Sequence, residues 1–136
     1  MFFMKYQKSN KSTYNIGYHL IWCPKYRRSV LTTIIANRLK ELLFFKANQI
    51  NTSIEKMEIM PDHVHLFVKS TPLLSPHKIV HQLKGYTSRI LRLEFKQLKS
   101  RLPTLWTRSY YCESIGHISE TTIKKYIYHS EVNIKK

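Results

Sequence analysis

Three side chains in this sequence could share one piece of chemistry: His63 and His65, separated by Val64, and Tyr126 near the C-terminus. The run from His63 to Ser70 reads as a strand, because Val64, Leu66 and Val68 alternate with His63, His65 and Phe67. The aliphatic set must be the face packed against helices. Both imidazoles therefore point to the other side, with β-carbons about 7 Å apart from the strand rise. Two nitrogens so placed can chelate one divalent ion, and the pair suits zinc, manganese, nickel or magnesium without choosing among them. Asp62, just before the pair, could orient one imidazole by a hydrogen bond. It could equally be no more than turn chemistry, since Pro61-Asp62 is a common turn dipeptide.

Tyr126 belongs to a helix expected over about 119–134, starting at Ser119, with Ile118 and Ile123 placed to close over the cap. Ile123, Ile127 and Ile134 form its apolar stripe. Tyr126 lies at the edge of that stripe, on a polar strip with Thr122, His129, Ser130 and Asn133, whereas Tyr128 points elsewhere, beside Lys124 and Val132. A phenol at a groove edge on a helix carrying Lys124 and Lys125 can reach a phosphate. An amphipathic tyrosine covering the rim of the core would occupy the same position.

The elements that must hold these groups follow from the rest of the pattern. Tyr14, Ile16, Tyr18, Leu20 and Trp22 alternate with Asn15, Gly17 and His19 as a half-buried strand that Cys23-Pro24 ends. A basic loop follows, Lys25, Tyr26, Arg27 and Arg28. Thr32 or Thr33 can cap a helix with Ile35, Leu39, Leu42 and Leu43 on one stripe, and Asn51 to Ser53 reads as a turn. Ile54 to Met60 and His63 to Ser70 form a hairpin through Pro61-Asp62. Ser75-Pro76 starts a second helix, with a capping hydroxyl and proline at the first helical position. That helix is expected to bury Ile79, Leu83, Tyr86 and Ile90 and to present Lys78, Gln82, Arg89, Arg92 and Lys96. A fourth strand lies within Trp106 to Ile115. Four strands and two crossing helices in this order predict an α+β fold of ferredoxin-like type, an antiparallel sheet with helices on one face. The final helix would be an appendage with its own task.

Composition bounds what such a domain can do. The chain has 136 residues, enough for a single domain over 1–136, and no repeat, linker or low-complexity segment divides it. Hydrophobic residues make up 43%, with only 3 Gly and 5 Pro, which excludes a disordered chain. Lys and Arg number 23 against 8 Asp and Glu, a formal charge of +15 spread along the chain, so a polyanion is the expected partner. Arg27, Arg28, Lys84, Arg89 and Arg92 are candidates for phosphate contacts, and a solvated charged face is the plain alternative for each. Cys23 and Cys112 fit neither a disulfide framework nor a zinc pair. The apolar run Met1 to Tyr6 lacks the length of a signal or membrane segment, so a soluble cytoplasmic protein is expected.

Taken together, these motifs resemble a known family. Met60-Pro61-Asp62-His63-Val64-His65-Leu66-Phe67-Val68 is similar to the HUH motif (His, bulky hydrophobe, His) of the single-tyrosine transposases of bacterial and archaeal insertion sequences, the TnpA type. Tyr18-His19-Leu20-Ile21-Trp22-Cys23-Pro24-Lys25-Tyr26-Arg27, Leu83-Lys84-Gly85 with Arg89, and Leu105-Trp106 match as well. So does the stretch from Ile115-Gly116 through Ser119-Glu120 to Thr122-Ile123-Lys124-Lys125-Tyr126-Ile127. A lone His-x-His is weak; the ordered set spans nearly the whole chain.

The resemblance implies an RRM-like or ferredoxin-like sheet, a homodimer, and excision and insertion of a mobile element as single-stranded DNA with hairpins near its ends. It implies magnesium or manganese as the metal, with His63 and His65 as ligands and Tyr126 as the nucleophile of a 5′-phosphotyrosine intermediate. The family commonly has Gln four residues after the tyrosine as a third ligand; here that position is Ser130, with His129 and Glu131 as neighbours that could substitute. Two other readings stand beside this one: a non-catalytic module that holds single-stranded or hairpin nucleic acid, and a domesticated HUH relative acting on chromosomal repeats.

Overall fold

The computed structural model describes residues 7–8 and 13–115. Its elements in chain order are β1 (Gln7–Lys8), β2 (Thr13–Tyr14), β3 (Ile16–Trp22), a 3₁₀ turn (Lys25–Arg27), α1 (Thr33–Gln49), β4 (Ser53–Met60), β5 (His63–Ser70), α2 (Pro76–Glu94), α3 (Lys96–Arg101) and β6 (Tyr111–Ser114). β1 and β2 form a small antiparallel ribbon, and the four longer strands form one antiparallel sheet in the order β4-β5-β3-β6. Each crossover, β3-α1-β4 and β5-α2-β6, skips over one strand, which is the ferredoxin-like arrangement expected from the sequence.

Alternation along β5 sorts the two faces of the sheet. Val64, Leu66 and Val68 are fully buried against α1 and α2, together with Leu20 and Trp22 from β3. From α1 come Ile35, Leu39, Leu42, Leu43 and Ala47, and from α2 come Ile79, Val80, Leu83 and Leu91. Burial of each Val, Leu or Ile side chain among them contributes about 1.5–3 kcal/mol, so the helix-covered face supplies the driving force for folding. The Pro61-Asp62 step is the two-residue hairpin link foreseen, and Leu31 N–H donates to the Pro61 carbonyl at 3.1 Å, tying the hairpin to the approach of α1.

Several local expectations needed correction. The Ser75 hydroxyl does cap α2, accepting from Lys78 N–H at 3.2 Å, but neither Thr32 nor Thr33 caps α1 through its side chain. The turn after α1 centres on Ile50–Asn51, with Asn51 at φ 61°, and Ser53 already pairs in β4. Tyr86 and Ile90 are only half-buried; Val80, Thr87 and Leu91 take the inner positions of α2. The chain leaves helical geometry at Phe95 (φ −121°, ψ 96°), so Lys96 begins the separate helix α3 and does not extend the basic stripe of α2.

The fourth strand is shorter than the window that contained it. Trp106 is drawn out of the strand path by burial: its ring meets Trp22 edge-on at 6.0 Å, and its Nε1–H donates to Thr87 Oγ1 at 3.1 Å. Thr87, fully buried, passes its own proton to the Leu83 carbonyl at 2.7 Å, so its hydroxyl is satisfied both as acceptor and as donor, whereas the buried Nε1–H of Trp22 has no hydrogen-bond partner among the described residues. The Trp106 backbone pairs outside the strands, in an isolated antiparallel bridge to Pro24.

Candidate active site

The open face of the sheet carries His63, His65 and Phe67 from β5, as alternation required. The register adds what alternation could not. Antiparallel pairing sets Glu58 of β4 opposite His65 and Ile21 of β3 on its other side, while Lys56 and His19 flank Phe67. Glu113 of β6 pairs with His19. The face therefore holds three histidines, and Asp62, Glu58 and Glu113 border it: three of the eight acidic residues of a strongly basic chain gathered in one place.

Each of the paired imidazoles has a carboxylate on its Nδ1 side. His63 Nδ1 lies 2.9 Å from Asp62 Oδ1, a hydrogen bond that presents Nε2 outward. His65 Nδ1 lies 3.8 Å from Glu58 Oε2, an electrostatic contact too long for a hydrogen bond. Asp62 in turn accepts from Arg27 at 3.3 Å. The loop that brings Arg27 there is held in left-handed backbone conformation at two consecutive non-glycine residues, Tyr26 (φ 60°) and Arg27 (φ 51°). Such conformations cost on the order of 1 kcal/mol or more each, so the surrounding contacts must impose them. Among these contacts, Lys25 N–H donates to the Leu105 carbonyl at 2.8 Å.

Electrostatics follow from these partners. The hydrogen bond from His63, with help from Arg27, holds the Asp62 carboxyl below its ordinary value. Burial and the neighbouring His19 push the His65 imidazole down, against a smaller opposing pull from Glu58. A depressed imidazole is neutral near pH 7 and offers a lone pair to a cation.

His19 was missed as a site residue. Its Nδ1 lies 3.1 Å from His65 Nε2, its ring is tilted against His65 at 5.2 Å, and it meets Phe67 edge-on at 5.2 Å. The available signal was its place on the polar side of the first strand. Only the β3–β5 register shows that this side adjoins the His-x-His pair. His19, Lys56, Glu58, His65 and Phe67 together line a small cleft of about 50 Å³. Two imidazoles, His63 held by the Asp62 hydrogen bond and His65 with Glu58 3.8 Å away, fit a divalent ion as a partial donor set. Among the described residues, no three His, Cys, Asp or Glu side chains are arranged to hold a metal by themselves. Tyr126 and Ser130 lie outside the described residues, as do His129 and Glu131.

The basic candidates divide. Arg27 is the one that joins the histidines, through Asp62; Arg28 beside it is exposed. Lys84, Arg89 and Arg92 lie on α2, behind the sheet. Lys84 Nζ donates to the carbonyls of Thr107 and Ser109, and its burial lowers its pKa. Arg92 donates to the carbonyls of Pro103 and Leu102 at 3.1 and 3.3 Å. Arg89 sits over the Tyr86 ring at 5.8 Å, which Phe45 also stacks upon. A second cleft of about 410 Å³ opens beside this helix, lined in part by Lys25, His77, His81, Lys84, Trp106 and Arg108. Cys23 and Cys112 are unbridged, and no helix among the described residues is long and apolar enough to cross a membrane.

The profile of the family described as "Transposase IS200 like" matches residues 12–130. The chain belongs to the IS200-like transposase family. It is 37% identical over 126 residues to the ISDra2 transposase TnpA of Deinococcus radiodurans, covering 91% of this chain and 90% of that protein. It is 30% identical over 122 residues to the transposase for insertion sequence element IS200 of Salmonella typhimurium, covering 85% and 77%. A crystal structure of a transposase from Deinococcus radiodurans R1 superposes with a TM-score of 0.77 at 34% identity, covering 90% of this chain and 96% of that one. A REP-associated tyrosine transposase bound to a REP hairpin shares the fold, with a TM-score of 0.58 at 15% identity over 95% of this chain and 67% of that one. As a member of this family the protein is an enzyme that cleaves and rejoins DNA.

Proposed function

We propose that this transposase cuts and rejoins single-stranded DNA at the ends of an insertion element, with a divalent cation, Mg²⁺ or Mn²⁺, at His63 and His65 and with Tyr126 as the nucleophile. The observation that carries the reading is the pair of imidazoles on the open sheet face, each with a carboxylate beside its Nδ1. In this reading the Tyr126 oxygen attacks the scissile phosphorus, the bond to the 3′-oxygen breaks, and that oxygen leaves to become a 3′-hydroxyl. The 5′-phosphate stays on tyrosine, so its bond energy is retained and the 3′-hydroxyl of another strand can reverse the step without ATP. A bound divalent ion would supply Lewis-acid polarisation of the phosphate and stabilise the departing 3′-oxygen. Asp62 fixes the His63 ring for this task, and Arg27 fixes Asp62.

The same reading makes residues 1–136 one catalytic domain, with Tyr126 on a last helix over about 119–134 and Ser130 near the metal, in reach of it through water. Hairpin DNA as the ligand and a homodimer as the working form belong to the proposal too. The hairpin bound to the structural relative supports the first. Arg27, Arg28, Lys84, Arg89 and Arg92 remain its candidate DNA contacts, with Arg27, Arg28 and Arg89 exposed and Lys84 and Arg92 half-buried.

The test is formation of a covalent protein–DNA adduct on a single-stranded end substrate with Mg²⁺. Tyr126→Phe should abolish the adduct and Tyr128→Phe should leave it. Salt-dependent binding that ignores EDTA, with no nicked product in any metal, would establish the non-catalytic module instead.

A further inference from the structure

The contact between His19 and His65 has a consequence for metal binding, and it rests on the reading that His65 is a metal ligand. With Glu58 on the Nδ1 side of His65, the nitrogen available to an ion is Nε2. That atom is already engaged: His19 Nδ1 lies 3.1 Å away, within hydrogen-bonding distance. The proton assignment that suits both contacts puts one proton on His65 Nδ1, facing Glu58, and one on His19 Nδ1, donated to the Nε2 lone pair. A divalent ion must sit about 2.0–2.2 Å from a ligating nitrogen, along that same lone pair. A proton and a cation cannot share it.

We infer that His19 is a positioning residue of the metal site, which holds the ligating nitrogen of His65 in the metal-free protein and is displaced from it when the ion binds. Packing supports a ring that is held yet able to yield. His19 is anchored edge-on by Phe67 at 5.2 Å and shares with His65 a cleft of about 50 Å³, space on the scale of one ion with part of its hydration. The hydrogen bond keeps His65 in the tautomer and orientation that coordination needs. It also sets a competition, so the affinity for the ion is reduced by the cost of releasing His19.

The experiment is a titration of the full-length protein with Mn²⁺ by isothermal calorimetry, with free Mn²⁺ counted by electron paramagnetic resonance. His19→Phe keeps an aromatic ring against Phe67 and removes the nitrogen. His19→Asn places an amide near the position of Nδ1 and should restore the contact. The expected result is about 2- to 10-fold tighter Mn²⁺ binding in His19→Phe, the factor that one net hydrogen bond represents, and near wild-type affinity in His19→Asn. Unchanged or weaker binding in a folded His19→Phe overturns the inference, weaker binding meaning that His19 is itself a ligand. A second measurement needs no variant: proton–nitrogen correlation of the imidazoles during Mg²⁺ titration. Loss of the His19–His65 hydrogen-bond signature on Mg²⁺ binding supports displacement, and its persistence in the bound form refutes it. Should wild type bind Mn²⁺ no better than His65→Ala, the assignment of His65 as a ligand fails as well, which separates that failure from one confined to His19.

Discussion

The two faces of strand β5 differ in every respect that matters to this enzyme. On one side Val64, Leu66 and Val68 are wholly excluded from solvent and belong to the hydrophobic core. On the other, His63 and His65 remain about one-third exposed, and each polar atom that approaches them comes from a different part of the chain: Asp62 from the turn, Glu58 from β4, His19 from β3. The first face is redundant, since many aliphatic contacts share the work. The second depends on single atoms in single places. A substitution on one face should therefore be read in stability, and on the other in chemistry.

The largest effect should come from the chemical side. Tyr126→Phe, and His63→Ala with His65→Ala, should lower adduct formation on the order of 10³-fold or more, and EDTA should do the same to the wild type. Residual adduct in Tyr126→Phe would move the nucleophile to another residue. Next comes the direct contrast between neighbours. Leu66→Ala should cost about 2–5 kcal/mol in urea unfolding, whereas His65→Ala should change stability by about 1 kcal/mol or less while losing Mn²⁺ affinity. If both variants unfold at the same urea concentration, the division of labour between the faces is wrong.

A smaller effect tests the orientation of His63. Asp62→Asn should weaken Mn²⁺ binding about 10- to 100-fold, as loss of a carboxylate behind a ligating histidine does elsewhere. Calorimetry at fixed pH measures it, and an unchanged affinity would reduce Asp62 to a turn residue. On the helix side, Arg89→Ala should lower the slope of log affinity against log salt for single-stranded DNA by about one. Lys84→Met and Arg92→Met should instead lower thermal stability, because both side chains donate to loop carbonyls. A full unit of salt slope lost on changing Lys84 would make it a phosphate contact after all.

The pH dependence of stability should be the mildest signature. The carboxyls of Asp62 and Glu94 both sit below their ordinary values, Asp62 chiefly through the His63 hydrogen bond and Glu94 through that of Arg38. Their folded pKa values are depressed, so the stability they add is complete above the unfolded-state values and is lost as pH falls through the folded ones. The urea midpoint should be flat above about pH 5 and decline below about pH 4. Asp62→Asn combined with Glu94→Gln should flatten that decline.

Much of this was legible in the residues alone. Period-two alternation identified β5 and both of its faces, because a strand has only two sides and only one set of side chains was apolar. Ser75-Pro76 announced α2 by local capping chemistry, and the turn at Pro61-Asp62 was equally local. The charge of +15 and the ordered motifs pointed to DNA and to the family before any contact was known. Tertiary structure decided what sequence spacing cannot encode. His19 is 46 residues from His65, and only the antiparallel register brings the two nitrogens together. Glu58 and Glu113 reached the histidine face by the same pairing. Lys84 and Arg92 stood as candidate phosphate contacts, and the loop after α3 folds back and offers both of them carbonyls. A helix period tells which residues share a face; it says nothing about which other segment will cover it.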